Sequence, residues 1–85
     1  PTDPKLAYNL GLVYTRLDNT DKAEKNLLDA IALRPQYQDP YYALTLLYEQ
    51  TRNPAPIPDL LIRAQSHLAT YSGLLQEKMS KYLLK

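Results

Sequence analysis

Residues 7–35 read AYNLGLVYTRLDNTDKAEKNLLDAIALRP, and their spacing decides the fold. Around the first part of this stretch, Leu6, Ala7, Tyr8, Leu10, Leu12, Val13, Tyr14 and Leu17 place apolar groups on nearly every side of a helix. Asp3 is its expected N-cap and Pro4 its first helical residue, where the missing N–H has no partner to lose. A helix with so wide an apolar surface needs cover from more than one neighbour. Gly11, in the middle, costs about 1 kcal/mol against Ala. The structural reason we read is a partner helix too close for any side chain.

Asp18, Asn19, Thr20 and Asp21 form a turn. Thr20 or Asp21 is the expected cap of a second helix, with Glu24, three residues after Asp21, closing a capping box. That helix runs to about Leu33, with Ala23, Leu27, Ala30 and Ile31 on one stripe, Leu28 and Leu33 beside it, and Lys22, Lys25, Asn26 and Asp29 on the wet side. Arg34 suits the negative end of the helix dipole, and Pro35 stops the helix.

A single constant shift brings the chain partly onto itself. Under it Tyr8 falls on Tyr42, Leu10 on Leu44, Leu12 on Leu46, Tyr14 on Tyr48, Asn19 on Asn53, Leu27 on Leu61, Ala30 on Ala64 and Tyr37 on Tyr71. These identities exceed the roughly three expected by composition, and they fall on helical faces. Asp39-Pro40 is therefore read as a second Asp-Pro start, opening a helix that reaches about Thr51. Pro54, Pro56 and Pro58 forbid a regular first turn after it. Pro58 is read as the first helical residue of a fourth helix over about 58–70, with Asp59 helping at its N-terminus. A fifth helix follows over about 72–84. Leu74, Leu75, Met79, Tyr82 and Leu83 form its apolar side; Gln76, Glu77, Lys78, Ser80 and Lys81 form its wet side. Tyr82 lies the same interval beyond Tyr48, and the narrow stripe with a charged back suits the end of a repeat array.

Leu10-Gly11, Tyr14, Ala23, Leu27, Ala30 and Pro35, in this order and spacing, resemble the tetratricopeptide repeat, a helix–turn–helix unit. The resemblance implies an all-α, right-handed α-solenoid with two repeats, about 4–37 and 38–71, and a C-terminal capping helix over about 72–84. Three positions depart from the pattern. Thr45 replaces the small glycine and predicts a slightly wider second helix pair. Ile57 stands for an alanine. Ala69 stands for the terminating proline, so the fourth helix is expected to run on by a turn.

In that family the first helices of successive repeats line a concave groove that holds an extended or helical peptide. Carried onto this chain, the groove would show Lys5, Tyr8, Asn9, Leu12, Thr15 and Arg16, then Asp39, Tyr42, Ala43, Leu46, Glu49 and Gln50. The implied function is a non-catalytic scaffold for a peptide or partner protein. Tyr8 with Tyr42 and Leu12 with Leu46 form an apolar ladder, which fits a protein contact and equally fits packing between the repeats. Family members that grip a terminal carboxylate use Lys and Asn where Tyr8, Leu12 and Ala43 stand here, so an apolar ligand fits better.

The composition agrees with a binding role. Ten Lys and Arg stand against nine Asp and Glu, so no net field draws in nucleic acid. No apolar run reaches the ~20 residues of a membrane span, and direct membrane insertion is not expected. Without cysteine there is no thiol nucleophile and no thiolate metal site, and this fixes no compartment. Eight tyrosines and no Phe or Trp suit half-buried faces. His67 has no Cys, Asp or second His at ligand spacing on its helix. Asp18, Asp21 and Asp29 have turn, capping and wet-face roles, and Ser66, Ser72 and Ser80 lack a neighbouring base. No enzyme, metal or cofactor is expected. Lacking an initiator Met, the chain reads as part of something longer. The alternative functions are self-association through the outer flank of the first helix (Leu6, Val13, Leu17), or an adaptor module of a larger enzyme or membrane-assembly protein.

Overall fold

Each apolar stripe becomes a helix. In the computed structural model, which describes residues 2–84, these are α1 Pro4–Arg16, α2 Thr20–Leu33, α3 Asp39–Gln50, α4 Ile57–His67 and α5 Gly73–Leu83. No strand occurs among the described residues. Each helix packs on the next in sequence, and α1 meets α3 as α3 meets α5. The chain is all-α and built as a helical repeat.

The repeat is clearest in the backbone between helices. Asp18 and Arg52, separated by the same interval as Tyr14 and Tyr48, are both left-handed, with φ of 58° and 56°. Around Asp18, the Asn19 N–H donates to the Tyr14 carbonyl at 2.9 Å and the Asp18 N–H to that of Thr15 at 3.1 Å. Around Arg52, Asn53 donates to Tyr48 at 2.9 Å and Arg52 to Glu49 at 3.2 Å. This paired closure satisfies the last carbonyls of α1 and α3 in the same way. The helices α2 and α4 also end one interval apart, with Arg34 and Leu68 leaving the helical region and donating to the Ala30 and Ala64 carbonyls.

Several helix starts differ from the sequence reading. Asp3 does cap α1, accepting from the Lys5 N–H at 2.9 Å, and Ser72 caps α5, accepting from Leu75. In α2, however, the cap is Asn19, which accepts from Lys22 at 3.2 Å, because the left-handed Asp18 brings the chain into the helix one residue sooner than expected. No capping box forms; the Glu24 carboxylate is taken by the Tyr48 hydroxyl instead. Asp39 does not repeat Asp3, since it lies inside α3 as its first residue. Gln38 precedes it without a side-chain cap, and its side-chain oxygen accepts from the Ser72 N–H instead.

The fourth helix begins at Ile57, one residue before Pro58, and ends at His67 rather than near Thr70. Leu68 turns extended and packs against the core, so no extra turn follows. On α5, Leu75 and Met79 are buried as expected, but Leu74 is 57% exposed. Its side chain projects from the helix start, away from the stripe that meets α3 and α4.

Gly11 has the close approach anticipated for it. A Cβ there would fall 2.6 Å from Cγ and Cδ2 of Leu27 and 3.4 Å from the Ala23 carbonyl oxygen. The α1 and α2 backbones accordingly approach each other most closely among the described helices. Thr45, at the equivalent place in α3, is fully buried, and its hydroxyl donates to the Tyr41 carbonyl at 2.9 Å. Leu27, Ile31, Tyr41, Leu44, Ile57, Leu61 and Leu75 form one continuous core across all the units. The Tyr41 hydroxyl reaches the Pro35 carbonyl at 2.7 Å and fastens the α2–α3 connection to it.

Candidate partner-binding face

Positions three, four and seven apart share one side of a helix. Lys5, Tyr8, Asn9, Leu12 and Arg16 therefore follow one another along α1, and Asp39, Tyr42, Ala43, Leu46 and Glu49 do so along α3. The helices α1 and α3 are in contact, and the two rows occupy equivalent repeat positions on them.

The rows are amphipathic. Lys5, Asn9, Arg16, Asp39 and Gln50 are exposed, whereas Tyr8, Leu12, Thr15, Tyr42, Ala43, Leu46 and Glu49 are half-buried. Tyr8, Tyr42 and Ala43 rest on the core. The ladder thus combines two tyrosines seated by packing with two half-buried leucines.

Tyr8 meets Tyr37 edge to face, with ring centroids 5.5 Å apart and planes at 67°, an arrangement that aromatic quadrupoles favour. Burial, helped by the Asp39 carboxylate, raises the Tyr8 phenol above its ordinary pKa, so it stays neutral and able to donate. Tyr37 is raised for the same two leading reasons. A shallow recess beside them is lined by Asp3, Pro4, Lys5, Arg34, Tyr37 and Asp39. It offers two acids and two bases, so it has no dominant charge.

Two expected groove residues are engaged within the chain. The Thr15 hydroxyl donates to the Gly11 carbonyl at 2.8 Å. Glu49 receives the Lys78 ammonium at 2.8 Å, the Lys81 ammonium at 3.4 Å and the Tyr82 hydroxyl. Hydrogen bonds from Lys78 and Tyr82 hold its carboxyl well below the usual range, at about 2, against the opposing effect of burial. Glu49 is the anchor of α5 on α3. Sequence reading missed this role and set Lys78 and Lys81 on the wet side. The signal available was Lys78 itself, which stands one repeat interval after Leu44 and two after Leu10. A cation where the other two units carry leucine is the departure that marks an ion pair there.

His67 is exposed at the end of α4. Among the described residues, no group of three or more His, Cys, Asp or Glu side chains could hold a metal ion, and no helix is long and apolar enough to cross a membrane. The chain matches no family model, no curated protein and no solved structure. Its fold is that of an all-helical, repeat-like chain.

Proposed function

We propose that the chain is a tetratricopeptide-type, right-handed helical array. Its role is to hold an extended or helical peptide of a partner protein on the α1–α3 face, without chemistry of its own. The recurrence of the left-handed helix ends at the interval of the sequence repeat supports the array. One observation carries the binding role: Leu12 and Leu46 stay half-buried at equivalent repeat positions, on the helix rows that also carry the seated Tyr8 and Tyr42 and the exposed Lys5, Asn9, Arg16 and Asp39. Such a strip gives an apolar side chain two walls and leaves Lys5, Asn9, Arg16 and Asp39 to orient the peptide backbone and ends.

The test is selection of peptides from a random display library on the immobilised full chain. Binders are then measured against two variants, Leu12→Ser with Leu46→Ser, and Tyr8→Ala with Tyr42→Ala. Both pairs should weaken binding at least tenfold while far-UV helicity is retained. Binders indifferent to the leucine pair would remove the proposed face. The leucine pair is the cleaner arm, because the tyrosines also support the core.

A further inference from the structure

The outer flank of α1 has an internal counterpart that shows what covers it. Under the repeat shift, Leu6, Leu10, Val13 and Tyr14 correspond to Pro40, Leu44, Leu47 and Tyr48. On α3 all four of the latter are buried, Leu47 to 3% exposure. On α1, Leu6 and Val13 are each 48% exposed, and Leu10 and Tyr14 are half-buried. Ala7 and Gly11, which face α2, are fully buried, so the difference is confined to one flank. On α3 the corresponding flank is covered by α2; among the described residues no helix covers it on α1.

The chemistry of that cover can be read from α2. Its face toward α3 carries Glu24, Leu28 and Ile31, one above another at spacings of four and seven. Ile31 is buried and Leu28 packs on the core. Glu24 accepts from the Tyr48 hydroxyl at 2.6 Å. Tyr14 is the matching tyrosine on α1, and its hydroxyl makes no hydrogen bond among the described residues. The Lys22 ammonium lies 5.5 Å from its ring centroid, so cationic charge already stands beside the place where a carboxylate would arrive.

We infer that the α1 flank is a docking site for an amphipathic partner helix carrying a carboxylate seven residues ahead of a branched aliphatic side chain, with the carboxylate received by Tyr14 and Lys22. A second copy of this chain does not supply such a face. Its α2 stripe is already spent on α3, and in α4 Pro58 occupies the place of Glu24 while α5 lies against the helix. A pair of identical flanks on a 13-residue helix, roughly 20 Å long, also falls short of the ~800 Å² per partner that a stable dimer buries. This inference concerns the opposite side of α1 from the proposed groove and does not depend on it.

The probe is a synthetic peptide of residues 19–34, titrated against the full chain with NMR as the readout. Shifts are expected at Leu6, Leu10, Val13 and Tyr14. Glu24→Gln in the peptide should weaken binding about tenfold to the parent chain, as loss of a hydrogen bond to a charged group does, and far less to a Tyr14→Phe chain. An isolated peptide of this length forms helix poorly. The same pair is therefore also read in a tandem chain with a second copy of residues 1–34 placed directly ahead of Pro1, where tethering raises the effective concentration. There, Glu24→Gln in the leading copy should lower the folding equilibrium constant about tenfold with Tyr14 intact in the following copy, and little with Tyr14→Phe. An equal loss with Phe at that position, or a leading copy that leaves Leu6 and Val13 exposed, overturns the inference. So does a parent chain whose mass rises with concentration while Leu6 and Val13 become protected, since the occupant is then another copy.

Discussion

The Tyr48 hydroxyl donates to the Glu24 carboxylate at 2.6 Å, joining the second helix of the first unit to the first helix of the second. The bond is part-buried, and burial together with the carboxylate pushes the Tyr48 phenol well above its ordinary pKa. Hydrogen bonds to charged groups contribute about 1.5–3 kcal/mol. Tyr48→Phe is therefore expected to destabilise the chain by roughly 1–2 kcal/mol, read as a lower urea midpoint at unchanged slope. Adding Glu24→Gln should cost little more, since the two residues share one interaction.

Gly11 meets Leu27 at a distance that leaves no room for a methyl group. Helix propensity alone would make Gly11→Ala stabilising by ~1 kcal/mol. Overpacking against the fully buried Leu27 opposes it by ~1–3 kcal/mol. The expected outcome is a net loss of stability in thermal melts, with Gly11→Leu much worse. Gly11→Ala combined with Leu27→Ala should lose less than the sum of the single changes, because the second removes the clash.

Arg52 holds a left-handed backbone without the local side-chain hydrogen bonding that helps Asn and Asp there. Arg52→Gly is expected to raise stability by about 0.5–1 kcal/mol, the strain relieved exceeding the added freedom of the unfolded chain. Asp18→Gly should gain less, because Asp tolerates this region better. Parallel denaturant titrations of the two variants compare the two sites directly.

Glu49 ties α5 to α3, and its carboxyl is held at about 2 against an ordinary 4.5. A carboxyl depressed on folding adds stability that is complete above the unfolded value and disappears as pH falls through the folded one. The difference in stability between the parent and Glu49→Gln should thus be constant above about pH 4.5. It should shrink steadily toward about pH 2. The Met79 methyl resonance, which reports the α5 seat, is a suitable monitor. A difference that persists unchanged into acid would show that the Lys78–Glu49 contact contributes nothing to that seat.

The stripes of α1, α2 and α3 and the place of Gly11 were legible because each depends on residues three and four apart on one helix. Helix ends were less so. Asn19 rather than Thr20 or Asp21 caps α2 because the left-handed Asp18 sets the chain direction, and that conformation has no glycine to announce it. The end of α4 at His67 follows from Leu68 turning back to the core, a tertiary choice that no local pattern records. Within the candidate face, the register gave the rows on α1 and α3, but not the capture of Glu49 by α5. That contact joins groups distant in sequence and uses two lysines that read locally as solvent-facing.

A radius of gyration of 12.0 Å is that of an ordinary compact chain of this length. Ligands of the proposed α1–α3 face should be held by a few side chains. The most direct test of the account is a chemical-shift map of the labelled full chain on addition of a peptide selected to bind it. The account predicts shifts concentrated at Lys5, Tyr8, Asn9, Leu12 and Arg16 on α1 and at Tyr42 and Leu46 on α3. Shifts confined to α2, α4 or the outer side of α5 would contradict it.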